Sequence, residues 1–413
     1  MPGVLEGLKV IEMGQIEAVP IAAAWMADWG ADVIKVEPPE GESWGMRVKK
    51  SPAAGKVTGP RNFLPDDVRR SVYNMINRNK KGLALDLKTE QGRSIIYKLV
   101  KNADVFLSNY RRDALNNLKM DYKTLSQLNP RLIYAILSAY GSAGPDKDMG
   151  GSDLSAGWFR SGWADFVREP GGFPSGQTFG FIDRGVAGPQ LAAGIMAALL
   201  HREKTGKGQE LEVSLFHSSV WAMALPLQIL LMGSQVPKRG RENPQNPINN
   251  IYRTGDNRCF QFPMAQPEHF WSDFCQAIDR PELENAPRFE SMDKRSQNSA
   301  ELTSILDEAF ASRTMDEWSE QFKKYNISLS RIQTLADVVN DPQALANNFF
   351  VDVPYPEKKM KVVSTPVNFY QNMASVRAPA PEVGEHNEEI LLNLGYGKAE
   401  INELKENGVI PQE

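Results

Sequence analysis

Residues 8–39 read LKVIEMGQIEAVPIAAAWMADWGADVIKVEPP. The stretch opens with a short apolar run that ends at Gly14, and residues 31–39 form a second run that ends at two prolines. Between these runs, residues 18–30 have the alanine-rich composition of a helix, which Gly30 closes. A strand, a helix and a strand in this order predict a βαβ unit, and therefore parallel strands joined by a right-handed crossover.

The same alternation continues along the first half of the chain. Strand patterns cover residues 83–87, 104–110, 131–141 and 210–216, and helical patterns cover 89–103 and 185–203. We therefore predict an α/β fold with a doubly wound parallel sheet, in which ligands bind at the carboxyl ends of the strands. Residues 41–72 interrupt the alternation and are rich in Gly, Pro and basic residues, which predicts a surface loop or lid.

The rest of the chain predicts a second, smaller domain of the α+β class. Its first element is a hairpin in NIYRTGDNRCFQFPM, at residues 250–264. The predicted organisation is a large domain over 1–217, a linker over 218–249, the small domain over 250–330, and a linker that returns to the large domain over 331–413. A second long helix is predicted over 218–233.

Composition excludes several classes of protein. The 413 residues are 41% hydrophobic and 24% charged, which fits a globular protein with a sizeable core. A net charge of −4 gives no reason to expect a nucleic-acid partner. The two cysteines and four histidines match no disulfide framework or metal site. We expect a cytoplasmic protein without a membrane span, because no signal peptide or long apolar run is seen.

A lone acid stands at the start of the most apolar helix, in GFIDRGVAGPQLAAGIMAALLHREKTGKGQ at residues 180–209. This acid is Asp183. The chain has no dinucleotide fingerprint, Walker loop, HExxH motif or GxSxG motif, so carboxylate chemistry remains. A carboxylate can act as a nucleophile and form a covalent acyl intermediate. The alternative is that Asp183 only caps the helix.

Seven blocks of sequence, some of them within the stretches above, together resemble the family III CoA transferases. They are LEGLKVIEMGQIEAVP, MADWGADVIKVEPPEG, NRNKKGLALDLKTEQGR, ADVFLSNYRRDAL, LNPRLIYAILSAYGSAGP, GIMAALLHREKTGKGQ and PEVGEHNEEILLNLGY. They are spread over nearly the whole chain and follow one another in the order in which the family has them. The stretch YGSAGPDKDMGGSDLSAGWFRSG, residues 140–162, is most similar to the subgroup that acts on phenyllactate and other 2-hydroxy acids.

The resemblance implies both an assembly and a reaction. The assembly is an interlocked homodimer, in which each chain forms a ring through which its partner passes. The reaction transfers CoA from an acyl-CoA donor to a free carboxylic acid, with no permanently bound cofactor. An aspartate before the alanine-rich helix would form first a mixed anhydride and then an aspartyl-CoA thioester.

The resemblance leaves the identity of that aspartate open. The family aspartate stands four residues before a helix glycine, here Gly188, and this count reaches Arg184. A one-residue shift restores Asp183, and the other possibility is a displaced or lost nucleophile. Two further acids compete with Asp183 as active-site acids, Glu17 in the loop QIEAVP and Asp153 in the triplet Gly-Ser-Asp.

Binding of CoA requires cations and backbone donors for its phosphates. Basic residues stand at the ends of the third and fourth strands, and the resemblance adds residues near the body of CoA. The predicted CoA-binding residues are Gln15, Ile16, Ala18, Lys81, Leu85, Lys88, Asn109, Arg111 and Arg112, with Lys80 beside them. The glycine-rich loop of the formyl-CoA transferase pattern is not found in the sequence. The aromatic residues between 158 and 181 either shield the site or form core.

Two alternatives remain open on sequence alone. A racemase of the same superfamily needs an acid–base pair at the α-carbon, and its pattern has a histidine where this chain has Ser152. The other alternative is a non-catalytic subunit of a heteromeric CoA transferase.

Overall fold

The computed structural model describes residues 3–42, 65–176, 180–236, 238, 240–263, 267–354, 360–372 and 374–412. The strands are β1 (Lys9–Met13), β2 (Asp32–Glu37), β3 (Lys81–Ala84), β4 (Val105–Ser108), β5 (Ile133–Ser138), β6 (Gln209–Ser214), β7 (Ile251–Arg253), β8 (Cys259–Gln261), β9 (Ser330–Ile332), β10 (Phe350–Val353) and β11 (Met360–Val363).

The helices are α1 (Ala18–Asp28), α2 (Asp66–Asn77), α3 (Glu90–Val100), α4 (Arg112–Asn117), α5 (Tyr122–Leu128), α6 (Trp163–Phe166), α7 (Gly188–Thr205), α8 (Leu215–Ala222), α9 (Ala224–Leu231), α10 (Pro267–Ala277), α11 (Met292–Gln297), α12 (Ser299–Phe310), α13 (Met315–Lys324), α14 (Leu335–Val339), α15 (Pro342–Ala346), α16 (Asn387–Asn393) and α17 (Lys398–Glu406). Two π-helical turns cover Asp153–Phe159 and Asp183–Ala187, and short 3₁₀ turns cover Pro247–Asn249 and Pro281–Leu283.

The six-stranded sheet is the centre of the larger compact unit. Its strand order is β3-β2-β1-β4-β5-β6, and all neighbours are parallel. The predicted doubly wound parallel sheet is therefore confirmed. The order reverses between β1 and β4, and ligands of such sheets bind in the crevice at this switch point.

Both faces of the sheet are covered, which explains the near-continuous apolar runs of its strands. Val10, Val105 and Leu107 pack with α1 and α7 on one face. Ile11 and Phe106 point to the other face and pack with α3, α16 and α17. Successive residues of a strand alternate between faces, so each strand contributes to two cores.

The contact between α1 and α7 explains why both helices are rich in small residues. Ten of the eleven residues of α1 are buried. A Cβ at Gly188, the first residue of α7, would lie 3.0 Å from the Ala18 carbonyl oxygen. The start of α7 therefore lies directly against the start of α1.

The smaller compact unit has its own aromatic core. Its sheet is antiparallel in the order β7-β8-β9, with Ile251 paired to Gln261 and Cys259 paired to Ile332. The predicted hairpin and the α+β class of this part are therefore confirmed. Helices α10, α12 and α13 cover the sheet with a cluster of aromatic rings that includes Phe260, Phe262, Phe274, Phe310, Trp318 and Phe322.

The compact units divide the chain at other places than the predicted segment limits. The larger unit comprises Met1–Phe166, Ser175–Leu231 and Asn347–Glu413, and the smaller one Val167–Pro174 and Met232–Ala346. Helix α8, which continues into the segment predicted as a linker, packs against both π-helical turns.

Two local predictions need correction. Residues 43–64 of the predicted loop lie outside the described residues, but the end of that segment is helical, because Asp66–Asn77 forms α2. The predicted helix over 218–233 is divided at Met223 into α8 and α9. None of the helices in the described ranges is long and apolar enough to cross a membrane.

Candidate active site

The loop after β1 lies at the switch point of the sheet and is held by the residue that follows β4. The Asn109 side chain accepts a hydrogen bond from the Gln15 N–H at 2.9 Å and donates one to the Gln15 carbonyl at 2.7 Å. The Ser108 hydroxyl donates to the Met13 carbonyl at 2.7 Å. Of the predicted CoA-binding residues, the fold therefore brings Gln15, Ile16 and Asn109 together at this edge.

The same loop contains a strained residue. Ile16 has a φ of 67°, a conformation that is unusual for a β-branched residue. Its N–H donates to the Glu42 carboxylate at 2.7 Å. Strained backbone persists only where the surroundings fix it, and it concentrates at functional sites. Glu42 and Asn109 thus fix the loop that carries Glu17.

Beneath the loop lies a group of fully enclosed charges, Glu12, Lys35, Lys80 and Glu42, which we call the closed cluster. The Lys35 ammonium lies 3.3 Å from Glu12 and 3.6 Å from Glu42, and the Lys80 ammonium lies 2.6 Å from Glu12. Burial lowers the pKa of Lys80 to about 8. Burial also acts to lower the pKa of Lys35, but the carboxylates around it, Glu12 foremost, raise it well above its ordinary value.

Asp183 lies in a π-helical turn and not at a helix cap. Helical conformation begins at Phe181, so Asp183 is inside the first turn. The Gly188 N–H donates to the Asp183 carbonyl, five residues back. Such a turn holds one more residue than an α-helical turn. Asp183, and not Arg184, is therefore one hydrogen-bonded turn before Gly188, at the place where the sequence showed a one-residue offset.

Asp153 begins the other π-helical turn, Asp153–Phe159, and lies next to Asp183. Its Oδ1 accepts a hydrogen bond from the Asp183 N–H at 2.9 Å, and both residues are buried. The two turns approach closely at Gly157, where a Cβ would lie only 3.1 Å from the Ile182 side chain. Ser152 caps the turn that begins with Asp153, its hydroxyl accepting from the Ser155 N–H. The serine of the Gly-Ser-Asp triplet therefore serves as the N-cap of this turn.

Glu17 reaches the same place from the β1 loop. This fully buried carboxylate lies 2.8 Å from the guanidinium of Arg184, the residue after Asp183. Gly180 has a φ of 77°, and a Cβ there would collide with Glu17 Oε2. The absence of a side chain at Gly180 is therefore needed for this ion pair. Asp153, Asp183, Glu17 and Arg184 together are called the open cluster below.

Four of the aromatic residues between 158 and 181 form one group beside Asp183. Trp158 and Trp163 are stacked with ring centroids 5.7 Å apart, and the edges of Phe166 and Phe181 meet Trp163. Phe166 and Phe181 are exposed although their neighbours are largely buried. Phe173 belongs to the smaller unit, and Phe179 lies outside the described residues. A half-exposed aromatic surface thus adjoins the open cluster.

The predicted lysines differ in their surroundings. Lys80 is enclosed in the closed cluster. Lys81 is the first residue of β3 and therefore lies at the amino ends of the strands, where it pairs with Glu389 at 2.9 Å and Asp32 at 3.6 Å. Lys88 follows β3 and is exposed. Of these three, only Lys88 combines exposure with the carboxyl edge.

The two arginines after β4 also differ. Arg112 pairs with Glu210 at 2.6 Å and Glu212 at 3.4 Å. Arg111 is exposed, and its guanidinium lies over Gly150, where a Cβ would collide with it. Ala18 and Leu85 are buried in the cores on the two faces of the sheet, so only their backbones lie near the edge.

Sequence reasoning missed Glu42, Gly180, Arg184 as the partner of Glu17, and the closed cluster. One signal was present, since Glu12 and Lys35 are charged residues inside otherwise apolar strands and occupy paired positions of β1 and β2. A charge in a buried strand needs a partner. Among the described residues there is no group of three or more His, Cys, Asp or Glu that could hold a metal ion.

The fold and the site define an α/β protein with buried carboxylates at the switch point of a doubly wound sheet. The family model of CoA-transferase family III matches residues 5–387. The chain therefore belongs to CoA-transferase family III, and it is a CoA-transferase.

Individual relatives agree with this assignment. The chain is 35% identical to the (R)-2-hydroxy-4-methylpentanoate CoA-transferase of Clostridioides difficile, over 98% of this chain and 99% of the relative. It is 32% identical to the cinnamoyl-CoA:phenyllactate CoA-transferase of Clostridium sporogenes, over 97% and 96%. A CaiB/BaiF family protein from Brucella suis has a similar crystal structure, with a TM-score of 0.81, 27% identity and coverage of 95% and 100%.

Proposed function

We propose that Asp183 is the nucleophile and carries both the acyl group and CoA during transfer. The observation that carries this proposal is the π-helical turn, which places a buried aspartate one turn before Gly188. The hydrogen bond from the Asp183 N–H to Asp153 fixes that turn. A fixed backbone at Asp183 limits the reorganisation that its carboxylate needs before it attacks.

Transfer then takes four balanced steps. The Asp183 carboxylate attacks the donor thioester carbonyl, and CoA leaves as a thiolate with formation of a mixed anhydride. The thiolate attacks the aspartyl carbonyl, and the donor acid leaves as a carboxylate. The acceptor carboxylate attacks the aspartyl-CoA thioester and releases the thiolate. The thiolate finally attacks the acceptor acyl carbonyl, which forms the new acyl-CoA and restores Asp183.

Hydroxylamine trapping tests this assignment. Hydroxylamine cleaves an aspartyl-CoA thioester to an aspartyl hydroxamate and free CoA, so peptide mass spectrometry of donor-treated protein should find the hydroxamate at Asp183. Asp183→Asn should abolish both label and transfer, whereas Asp113→Asn, a change in the exposed first turn of α4, should retain both. A label on Glu17 or Asp153 would refute the assignment. If the pure chain shows neither label nor transfer, it is a subunit of a heteromer.

The CoA moiety is proposed to lie at the carboxyl edge of β1, β3 and β4. The backbone of Gln15, Ile16, Ala18 and Leu85, together with Asn109, would border its body, and Arg111 and Lys88 would bind its phosphates. Arg111 and Lys88 are exposed at this edge, which supports their role as phosphate ligands. Lys81 and Arg112 already pair with acidic side chains, which argues against them as phosphate ligands.

The substrate acid is proposed to be aromatic, branched or a 2-hydroxy acid. Support comes from the half-exposed aromatic group beside Asp183 and from the names of the two relatives. Apolar contact contributes roughly 0.8 kcal/mol per buried CH₂. In competition for CoA from one donor, phenyllactate and 2-hydroxy-4-methylpentanoate should exceed succinate and oxalate by about tenfold or more in kcat/KM. A preference for the small diacids would show that the aromatic group is only packing.

The active assembly is proposed to be a homodimer with interlocked chains, or a heteromer with a related chain. Helices α8 and α9 expose large apolar side chains, namely Trp221, Leu225, Leu230 and Leu231. Several large apolar side chains exposed on two consecutive helices support contact with another protein.

A further inference from the structure

Glu17 and Arg184 form an ion pair whose two members have very different exposure. The Glu17 side chain is fully buried, whereas the Arg184 side chain is 31% exposed. A buried carboxylate requires a cation close by, because removal of either partner leaves an uncompensated charge. Arg184 is therefore anchored by one side of its guanidinium.

Three segments of the chain contribute to the ion pair between Glu17 and Arg184. Ile16 is held with a positive φ by the Glu42 carboxylate, and the next residue is Glu17. Gly180 leaves room for the Glu17 oxygen and for the guanidinium, since a Cβ added at this position would also lie 2.9 Å from Arg184 Nη2. Three segments of the chain thus cooperate to fix a single guanidinium.

The fixed guanidinium is on the residue that follows the proposed nucleophile. A guanidinium has five N–H donors in a planar fork that matches a carboxylate. The ion pair with Glu17 is made by Nη1, and 31% of the Arg184 side chain remains exposed. The guanidinium therefore has donors beyond the one in this contact.

We propose that Arg184 binds the carboxylate of the free acid substrate, held in place by its ion pair with Glu17. The proposal rests on the proposed transfer through Asp183. One oxygen of the acid would attack the aspartyl-CoA carbonyl while the other stays on Arg184, and the departing donor acid would use the same contact in reverse. The thioester form of the substrate has no carboxylate, so Arg184 distinguishes free acid from acyl-CoA.

The test compares Arg184→Gln with Arg184→Lys and a matched control. Arg160→Gln serves as the control, because Arg160 is another half-exposed arginine of the larger unit, paired with Asp146 at 2.7 Å. Kinetics with 2-hydroxy-4-methylpentanoate should show that Arg184→Gln raises KM for the acid about tenfold or more, with KM for acyl-CoA within about twofold. Arg184→Lys should recover part of the loss.

Inhibition by the primary amide of the acid supplies a readout that a structural role would not change. The wild type should bind the acid about tenfold or more tightly than its amide, and Arg184→Gln should reduce this ratio to near one. An unchanged ratio in Arg184→Gln would overturn the proposal. If that variant does not fold, a wild-type ratio near one would overturn the proposal.

Failure of this inference can be separated from failure of the proposed function. Donor-dependent hydroxamate at Asp183 of the wild type reports on the nucleophile and needs no added acceptor acid. Label at Asp183 together with an unchanged acid-to-amide ratio refutes Arg184 alone. No label at Asp183 in a protein that does transfer CoA refutes the nucleophile, and the role of Arg184 is refuted with it.

Discussion

The closed cluster and the open cluster both combine acidic with basic side chains, but the two clusters differ in exposure. In the closed cluster, Glu12 lies between two lysines, and all of these side chains are enclosed. In the open cluster, Glu17 meets a guanidinium that remains partly exposed. Enclosed charges can only hold the fold together, whereas a partly exposed guanidinium can also meet a ligand. Exposure, and not residue type, separates the two tasks.

The two clusters are coupled through the loop after β1. Glu42 belongs to the closed cluster by its contact with Lys35, and its other oxygen accepts the N–H of Ile16. Enclosed ion pairs cost desolvation free energy, which excellent geometry at best offsets. We infer that the closed cluster is retained because it fixes the backbone that presents Glu17 to Arg184.

The largest expected effect concerns stability and follows from Glu12. Glu12→Gln removes the charge shared by the Lys35 and Lys80 ammonium groups and leaves both in an enclosed site. Breaking a buried ion pair in this way costs about 3–5 kcal/mol of unfolding free energy. Thermal unfolding by calorimetry should show a clearly lower Tm for Glu12→Gln.

Glu210→Gln provides the matched control for that experiment. Its ion pair with Arg112 lies at the surface, where both side chains are about one third exposed. Surface pairs contribute about 0–1 kcal/mol, so the Tm should change little. Equal effects of the two substitutions would mean that the closed cluster has no special role in stability.

A smaller effect is expected on CoA binding, and it separates two neighbouring arginines. Arg111→Ala should raise the KM for acyl-CoA about tenfold, since a charged hydrogen bond contributes about 1.5–3 kcal/mol. Arg112→Ala should change this KM by less than about twofold, because Glu210 and Glu212 already pair with Arg112. Steady-state kinetics with varied acyl-CoA provides the measurement. A larger effect at Arg112 would place the CoA phosphates elsewhere.

Much of the fold could be predicted because local patterns and global packing agree. The apolar run at residues 8–14 and the alanine-rich helix after it report burial directly, since the strand is covered on both faces and α1 is almost entirely enclosed. Antiparallel pairing of β7 and β8 was likewise visible in the hairpin pattern. Helix α2 was missed because its hydrophilic sequence follows a long polar segment.

The site was less accessible to sequence reasoning because its contacts join distant parts of the chain. The Glu17–Arg184 pair and the Asp153–Asp183 hydrogen bond both depend on tertiary structure. The one-residue offset before Gly188 was visible, but the π-helical turn at this place was not, because periodicity does not reveal a single inserted residue. Similarly, nothing local distinguishes Lys80 from Lys81, although one is enclosed and the other lies at the surface.

The smallest expected effect is a dependence of stability on alkaline pH. Burial lowers the pKa of Lys80 to about 8, below the 10.5 of an ordinary lysine. Between these values the unfolded chain binds more protons than the folded one, so the contribution of Lys80 to stability rises with pH. The rise should be about 1–2 kcal/mol between roughly pH 8 and 9.5. Lys35 adds nothing in this window, because its pKa lies above 10.5.

The measurement is the Tm of wild type and Lys80→Met at several pH values across this window, with Lys123→Met in the exposed part of α5 as the control. The Tm of Lys80→Met should fall relative to that of wild type as the pH rises, because the substitution removes a group that loses its proton more readily in the folded protein. The Lys123→Met variant should follow wild type throughout. A constant difference between wild type and Lys80→Met would show that Lys80 keeps its proton, and the enclosed lysines of the closed cluster would then be equivalent.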